Sequence, residues 1–335
     1  MFHSRRRFLE QAGVLGIAPL IGSAVAAGTE PPPETTRIRL LHLPAICAAP
    51  QYVAEELLRM EGFKEIEYVE LIDTKTPGAY HIARGKADIS MWDLPALIPL
   101  LDDNEPVVLL AGVHAGCFEL FGNASINGIR DLKGKTIAVS VIGGSEYVLL
   151  SSIIAYVGMD PRKDVHWITG SKVRDGMRLF TEGKADAFLA FAPQPQELRA
   201  KKIGHVILNT AQDAPWSQYF CCVVAGYRPF VQKNPIATKR AIRAILKGAD
   251  ICAERPEFVA KQLVEHKWET RHQIALEVLK ELPYRRWREA DPEDSLRFHA
   301  LRLYEVGMIK TSPNKLIAKG TDWRFLNELK KELKA

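Results

Sequence analysis

Apolar and polar positions along this chain change rhythm again and again. Short apolar runs bounded by turn residues predict buried strands, and stretches with apolar residues at i, i+3, i+4 and i+7 predict helices. A first strand is predicted over 37–43, with a loop from Pro44 to Pro50 and a helix carrying Val53, Ala54, Leu57 and Leu58 on one stripe. A strand over 66–71, a helix ending near Gly85, a strand running to Met91, a helix over 93–101 and a buried strand over 106–113 continue the alternation. A second series opens on the charged turn 129–135, with strands expected over 136–140, 165–169, 185–191, 205–209 and 219–225 and a helix over 172–182. Strict alternation implies parallel sheets covered on both faces. After Pro229 the strand signals stop and amphipathic helices take over, as in the stripe Ile242, Ile245, Leu246, Ala249.

One phrase occurs twice. Gly85-Lys86-Ala87-Asp88 leads into Ile89-Ser90-Met91-Trp92, and Gly183-Lys184-Ala185-Asp186 leads into Ala187-Phe188-Leu189-Ala190-Phe191. Each copy ends a helix on Gly, turns, and enters a short apolar strand that stops at an aromatic ring. Two α/β lobes on one plan would place such rings at the carboxyl ends of their strands, where open parallel sheets bind ligands.

The amino terminus adds a destination. Ser4-Arg5-Arg6-Arg7-Phe8-Leu9 matches the twin-arginine export pattern, a moderately apolar stretch follows, and Ala24-Val25-Ala26 offers a cleavage site. Residues 1–27 are therefore expected to be a twin-arginine signal peptide, cleaved after Ala26 or Ala27, and residues 28–36 a linker. Localisation in the periplasm follows. The whole chain has 335 residues and a formal net charge of +5. Without the signal, 42 basic and 39 acidic residues remain, a mild excess that argues against a nucleic-acid partner. The five cysteines, Cys47, Cys117, Cys221, Cys222 and Cys252, are an odd number with no zinc-motif spacing. Free buried thiols are expected, with no cofactor and no metal.

Three stretches carry a family resemblance. They are Asp131-Leu132-Lys133-Gly134-Lys135-Thr136-Ile137-Ala138-Val139 with Gly144-Ser145, Gly158-Met159-Asp160-Pro161 with Asp164-Val165, and Glu182-Gly183-Lys184-Ala185-Asp186-Ala187-Phe188. Together they resemble the nitrate/sulfonate/taurine group of periplasmic solute-binding proteins of ABC importers, which includes binders of thiamine pyrimidine precursors. Ala49-Pro50-Gln51-Tyr52-Val53-Ala54 is similar to that group's first helix. The resemblance spans roughly residues 37–255. It implies a type II periplasmic binding protein fold: lobe one from 37–112 and 228–335, lobe two from 113–227, and crossings near Val113 and Gly226. It also implies a permease and its ATPase as partners.

Candidate ligand-binding residues follow from these positions. Gly143-Gly144-Ser145 opens a helix, whose free N–H groups favour an anionic or strongly accepting group; the resemblance places the ligand contact on Gly144 and Ser145. Trp92, Asp93 and Phe191 end the two repeat strands. Ile46 and Cys47 lie in the loop after the first strand. His114 lies past the first expected crossing, and Trp216 and Tyr219 precede the second. Few basic residues fall at these positions, which favours a partly aromatic or zwitterionic solute over bare nitrate. A serine nucleophile is disfavoured, because Gly143-Gly144-Ser145-Glu146-Tyr147 lacks the closing Gly of a hydrolase elbow. No metalloprotease, P-loop or dinucleotide motif is present. The chain is therefore expected to be a monomeric, non-enzymatic binder of a sulfonate/taurine-like or heteroaromatic solute. An exported enzyme on a related bilobal fold and a solute-sensing module remain as alternatives.

Overall fold

The computed structural model describes residues 30–71, 76–170 and 175–334, so the signal expected over 1–27 lies outside the described residues. Strand β1 (Arg37–Leu41) leads through a helical turn (Ile46–Ala48) into helix α1 (Ala49–Met60). Then come β2 (Glu65–Val69), α2 (Tyr80–Ala83), β3 (Ile89–Asp93), α3 (Leu94–Asp102) and β4 (Val107–Ala115). The second series holds β5 (Phe118–Gly122), β6 (Thr136–Val139), α4 (Ser145–Tyr156) and β7 (His166–Thr169). It continues with α5 (Asp175–Thr181), β8 (Ala187–Phe191), α6 (Gln194–Lys201) and β9 (His205–Asn209). After β10 (Phe220–Tyr227) come helices α7 (Arg228–Lys233), α8 (Pro235–Glu254), α9 (Pro256–Glu265) and α10 (His272–Glu281). The chain closes with α11 (Pro292–Glu305), α12 (Pro313–Gly320) and α13 (Arg324–Glu332).

The two halves share one strand order. Strands β2 and β1 pair in parallel, and β10 pairs antiparallel with both β3 and β4. Asp88 N–H donates to the Arg39 carbonyl (2.9 Å), setting β1 beside β3. Side by side, the two-stranded sheet β2-β1 and the three-stranded sheet β3-β10-β4 give this half the order β2-β1-β3-β10-β4, and the five-stranded sheet of the other half reads β7-β6-β8-β5-β9. In each, the fourth place is filled by the strand that has just arrived from the other half. The chain changes sheet between Ala115 and Phe118 and again between Asn209 and Phe220. The sequence reading set the second crossing near Gly226, but Phe220–Tyr227 is already hydrogen-bonded between β3 and β4. It also expected purely parallel sheets. The two arriving strands run antiparallel, because each enters from the opposite half without the helical crossover that a parallel neighbour requires.

The repeated phrase does the same work twice. Gly85 (φ +65°) and Gly183 (φ +71°) end their helices in the left-handed conformation that favours glycine. The Asp that follows then bonds its parallel neighbour: the Asp88 carboxylate accepts from Arg39 N–H (2.8 Å) and the Asp186 carboxylate from Thr136 N–H (2.9 Å). Buried Gln51 on α1 ties the first half together. Its Nε2 donates to the Leu41 carbonyl (2.8 Å), and its Oε1 accepts from Met91 N–H (2.8 Å) and the Ser90 hydroxyl (3.0 Å).

The C-terminal helices bury the stripe expected of them: Ile242, Ile245, Leu246 and Ala249 on α8 are fully buried. Helices α10 and α11 also reach the second series. Arg199 on α6 donates to Glu277 (2.9 Å) and Glu281 (2.7 Å) on α10, and Phe298 on α11 stacks on Tyr219 at 4.0 Å. No described helix is long and apolar enough to cross a membrane.

Candidate functional site

A cavity of about 470 Å³ opens where the carboxyl ends of the parallel strands meet. The first half supplies His42 to Ala45, Cys47 and Ala48 after β1, Glu70 and Leu71 after β2, and Met91, Trp92 and Asp93 at the end of β3. The second half supplies Phe118 on β5, Ser140, Val141 and Gly144 between β6 and α4, Ser145 and Glu146 on the first turn of α4, and Phe191 at the end of β8. Cys47, Cys117 and Cys222 line it as well.

Six of the sequence-derived candidates come together here: Cys47, Trp92, Asp93, Gly144, Ser145 and Phe191. Asp93 is the N-cap of α3, with Oδ1 accepting from Ala96 N–H (3.2 Å). Its Oδ2 accepts from the Ser145 hydroxyl, on the first turn of α4. Burial pushes the Asp93 pKa up to about 8, against the hydrogen bond from Ser145, which lowers it. Ser145 is thus not the N-cap of its helix: Gly144 holds that position, and the serine side chain bridges to the other half.

Trp92 forms a flat apolar wall. A side chain at Gly78 would lie 2.3 Å from its ring, so the α2 approach must be glycine for the indole to lie against the backbone. The indole N–H is buried without a hydrogen-bond partner among the described residues. Phe191 meets Phe118 edge-on at 6.0 Å. In register of the repeat, Phe191 is the counterpart of Asp93, one residue beyond Trp92, because Ile89 and Ala187 each follow the Asp.

The other four candidates lie elsewhere. Ile46 is buried behind the loop, its N–H donating to the Ala192 carbonyl across the halves (3.3 Å). His114 is fully buried under the cysteines and lines no part of the cavity, with Nδ1 3.1 Å from the Gly116 carbonyl. Burial lowers its pKa, but the Cys222 and Cys47 sulfurs outweigh this and hold it well above the usual imidazole value. Trp216 and Tyr219 face a separate crevice of about 10 Å³ beside His299. Their rings pack on Tyr156 (5.2 Å) and Phe298 (4.0 Å), so helices α4 and α11 take the contacts that sequence reasoning gave to a ligand.

Sequence reasoning missed His42, Glu70 and Phe118. His42 Nδ1 pairs with Glu70 Oε1 at 2.5 Å. Both follow strand ends directly, so the rule that selected Trp92 would have selected them. Glu146, which also lines the cavity, accepts from the Ser140 hydroxyl (2.7 Å) and is buried. Acidic side chains therefore sit on both walls, and among the described residues no Lys or Arg lines the cavity.

The family model described as NMT1/THI5 like matches residues 50–258. No curated protein matches the chain by sequence. Among solved structures, the periplasmic nitrate-binding protein NrtA from Synechocystis PCC 6803 is similar at TM-score 0.75 and 16% identity, covering 90% of each chain. The alkanesulfonate-binding protein SsuA from Xanthomonas axonopodis pv. citri, bound to MOPS, is similar at TM-score 0.69 and 15% identity, over 88% of this chain and 100% of that one. A Candida albicans gene product described as having the generic periplasmic binding protein fold is similar at TM-score 0.67 and 16% identity, over 85% of this chain and 96% of that one. The architecture is the periplasmic binding protein fold expected from the sequence.

Proposed function

The chain belongs to the NMT1/THI5-like family, and from that premise we propose that it is the periplasmic solute-capturing component of an ABC importer. The observation that carries the reading is the cavity at the strand ends, walled by both halves and bridged by Ser145 and Asp93. The structural neighbours named for nitrate and for alkanesulfonates support the same class of work.

In this reading the two halves are lobes that close over the solute by a hinge motion at the two sheet crossings. The second lobe is the segment between Gly116 and Tyr219. The solute is small and organic, sulfonate/taurine-like or heteroaromatic. Trp92 covers an apolar or aromatic face. The first turn of α4 at Gly144 and Ser145 receives an anionic or accepting end. Glu70 and Glu146 receive a donor-rich or cationic end, which suits a zwitterion better than nitrate. The protein is exported by the twin-arginine route, acts as a monomer, releases its solute unchanged and docks on a permease with its ATPase.

Thermal-shift screening followed by calorimetry tests the assignment. Taurine, alkanesulfonates, aminopyrimidines and nitrate form the panel. One organic member is expected to bind at one site per chain, more tightly than nitrate. Binding of nitrate alone would reverse the solute assignment.

A further inference from the structure

We propose that Cys47, Cys117 and Cys222 form a three-thiolate site for one soft divalent metal ion of the Zn(II) class, with its fourth position open to the cavity. The three sulfurs all lie within 4.8 Å of one another. A metal bonded to three thiolates at about 2.3 Å holds its sulfurs about 3.8–4.0 Å apart, so small side-chain adjustments close the site. All three cysteines line the cavity and are free thiols. They come from three separate segments of the chain, which is why no linear zinc-like spacing announces them.

Rigid backbone presents each sulfur. Cys47 sits in the helical turn fixed by the bond from Ile46 to Ala192. Cys117 lies in the first crossing, its N–H donating to the Thr210 hydroxyl (3.2 Å). Cys222 is in β10, directly opposite Asp93 of β3 and His114 of β4. His114 is fully buried beside Cys47 and Cys222, with Nδ1 3.1 Å from the Gly116 carbonyl. Cys221 faces the small crevice instead, with its sulfur 2.9 Å from that of Cys117.

Donor chemistry selects the ion. Sulfur ligands disfavour Mg²⁺ and Ca²⁺ and favour Zn(II), Cu(I) and their relatives. Three thiolates around a monovalent ion leave two negative charges in a buried site, and around a divalent ion only one. Buried uncompensated charge is costly, and buried Glu146 already lines this cavity, so the divalent ion is favoured. Three protein ligands with an open fourth position are the pattern of a zinc site that takes an exogenous donor. The inference stands on the sulfur geometry and not on the transport reading.

Anaerobic titration of the reduced full-length chain with Co(II), the spectroscopic stand-in for Zn(II), tests it. One equivalent is expected to give sulfur-to-cobalt charge-transfer absorption and tetrahedral visible bands, and Zn(II) should abolish both. Cys117→Ser and Cys222→Ser should weaken binding by at least about tenfold, and Cys252→Ser, on α8, should not. Should the ligand variants fail to fold, the wild-type titration decides alone. Wild-type protein without these bands, equal loss in Cys252→Ser, or thiolate binding of Cu(I) but neither Co(II) nor Zn(II) would overturn the proposal. Solute binding, read separately by calorimetry in metal-free buffer, distinguishes failure of this site from failure of the transport assignment.

Discussion

The Ser145 hydroxyl donates to Asp93 across the cavity and so fastens the first turn of α4 to the end of β3. It joins the two halves within the cavity lining. Ser145→Ala leaves a buried carboxyl oxygen without its donor, which typically costs about 1–3 kcal/mol. Urea denaturation should show that loss with the fold retained. An unchanged midpoint would mean that the bridge carries no stability.

Asp93 makes stability depend on pH. Its folded pKa, about 8, lies above the ordinary value of 3.8 because of burial. The folded state therefore holds a proton that the unfolded chain releases between those values. The stabilisation is full below about pH 4 and is lost as the pH rises through about 8. Each pKa unit corresponds to about 1.4 kcal/mol, so the span is of the order of several kcal/mol. Asp93→Asn should flatten the wild-type decline between about pH 4 and 8. Parallel pH curves for the two proteins would contradict the assignment.

Trp92 should matter more than Ser145 for a bound solute. Ser145→Ala removes one hydrogen-bonding group, worth about 0.5–1.5 kcal/mol to a neutral partner. Trp92→Ala removes an apolar wall, at about 25 cal/mol for each Å² of apolar surface that the solute then leaves in water. Calorimetry with a solute from the screen should rank the variants in that order. Wild-type affinity in Trp92→Ala would assign the ring to packing alone.

The repeated Asp residues should act alike on stability. Asp88→Ala strands the Arg39 N–H, and Asp186→Ala strands the Thr136 N–H. Each should cost about 1–3 kcal/mol. Asp88→Ala should cost more, because Asp88 also holds the charged Arg39 guanidinium at 2.5 Å, whereas the second partner of Asp186 is the neutral Asn123 amide (2.8 Å). Thermal unfolding of both variants checks the order.

These two Asp residues also mark how much was legible in the sequence. Gly, a turn and Asp are local signals, and the structure uses them in the same way in both halves. The strand ends they announce supply Trp92, Asp93 and Phe191 to the cavity. What depended on distant partners was not legible. The apolar run Phe220–Tyr227 fits either sheet by pattern alone, and only its pairing with β3 and β4 decides. Tyr219 looked available to a ligand because its stacking partner, Phe298, lies far along the chain. Cys47, Cys117 and Cys222 meet only after both crossings are made.

Native mass spectrometry of the protein purified from its own host decides whether it captures a solute. A single small organic molecule should be bound noncovalently at one per chain, released chemically unchanged, and absent from the Trp92→Ala protein. Protein that carries no such molecule and shifts its melting temperature with no member of the panel, or that converts a bound molecule into a product, would contradict it.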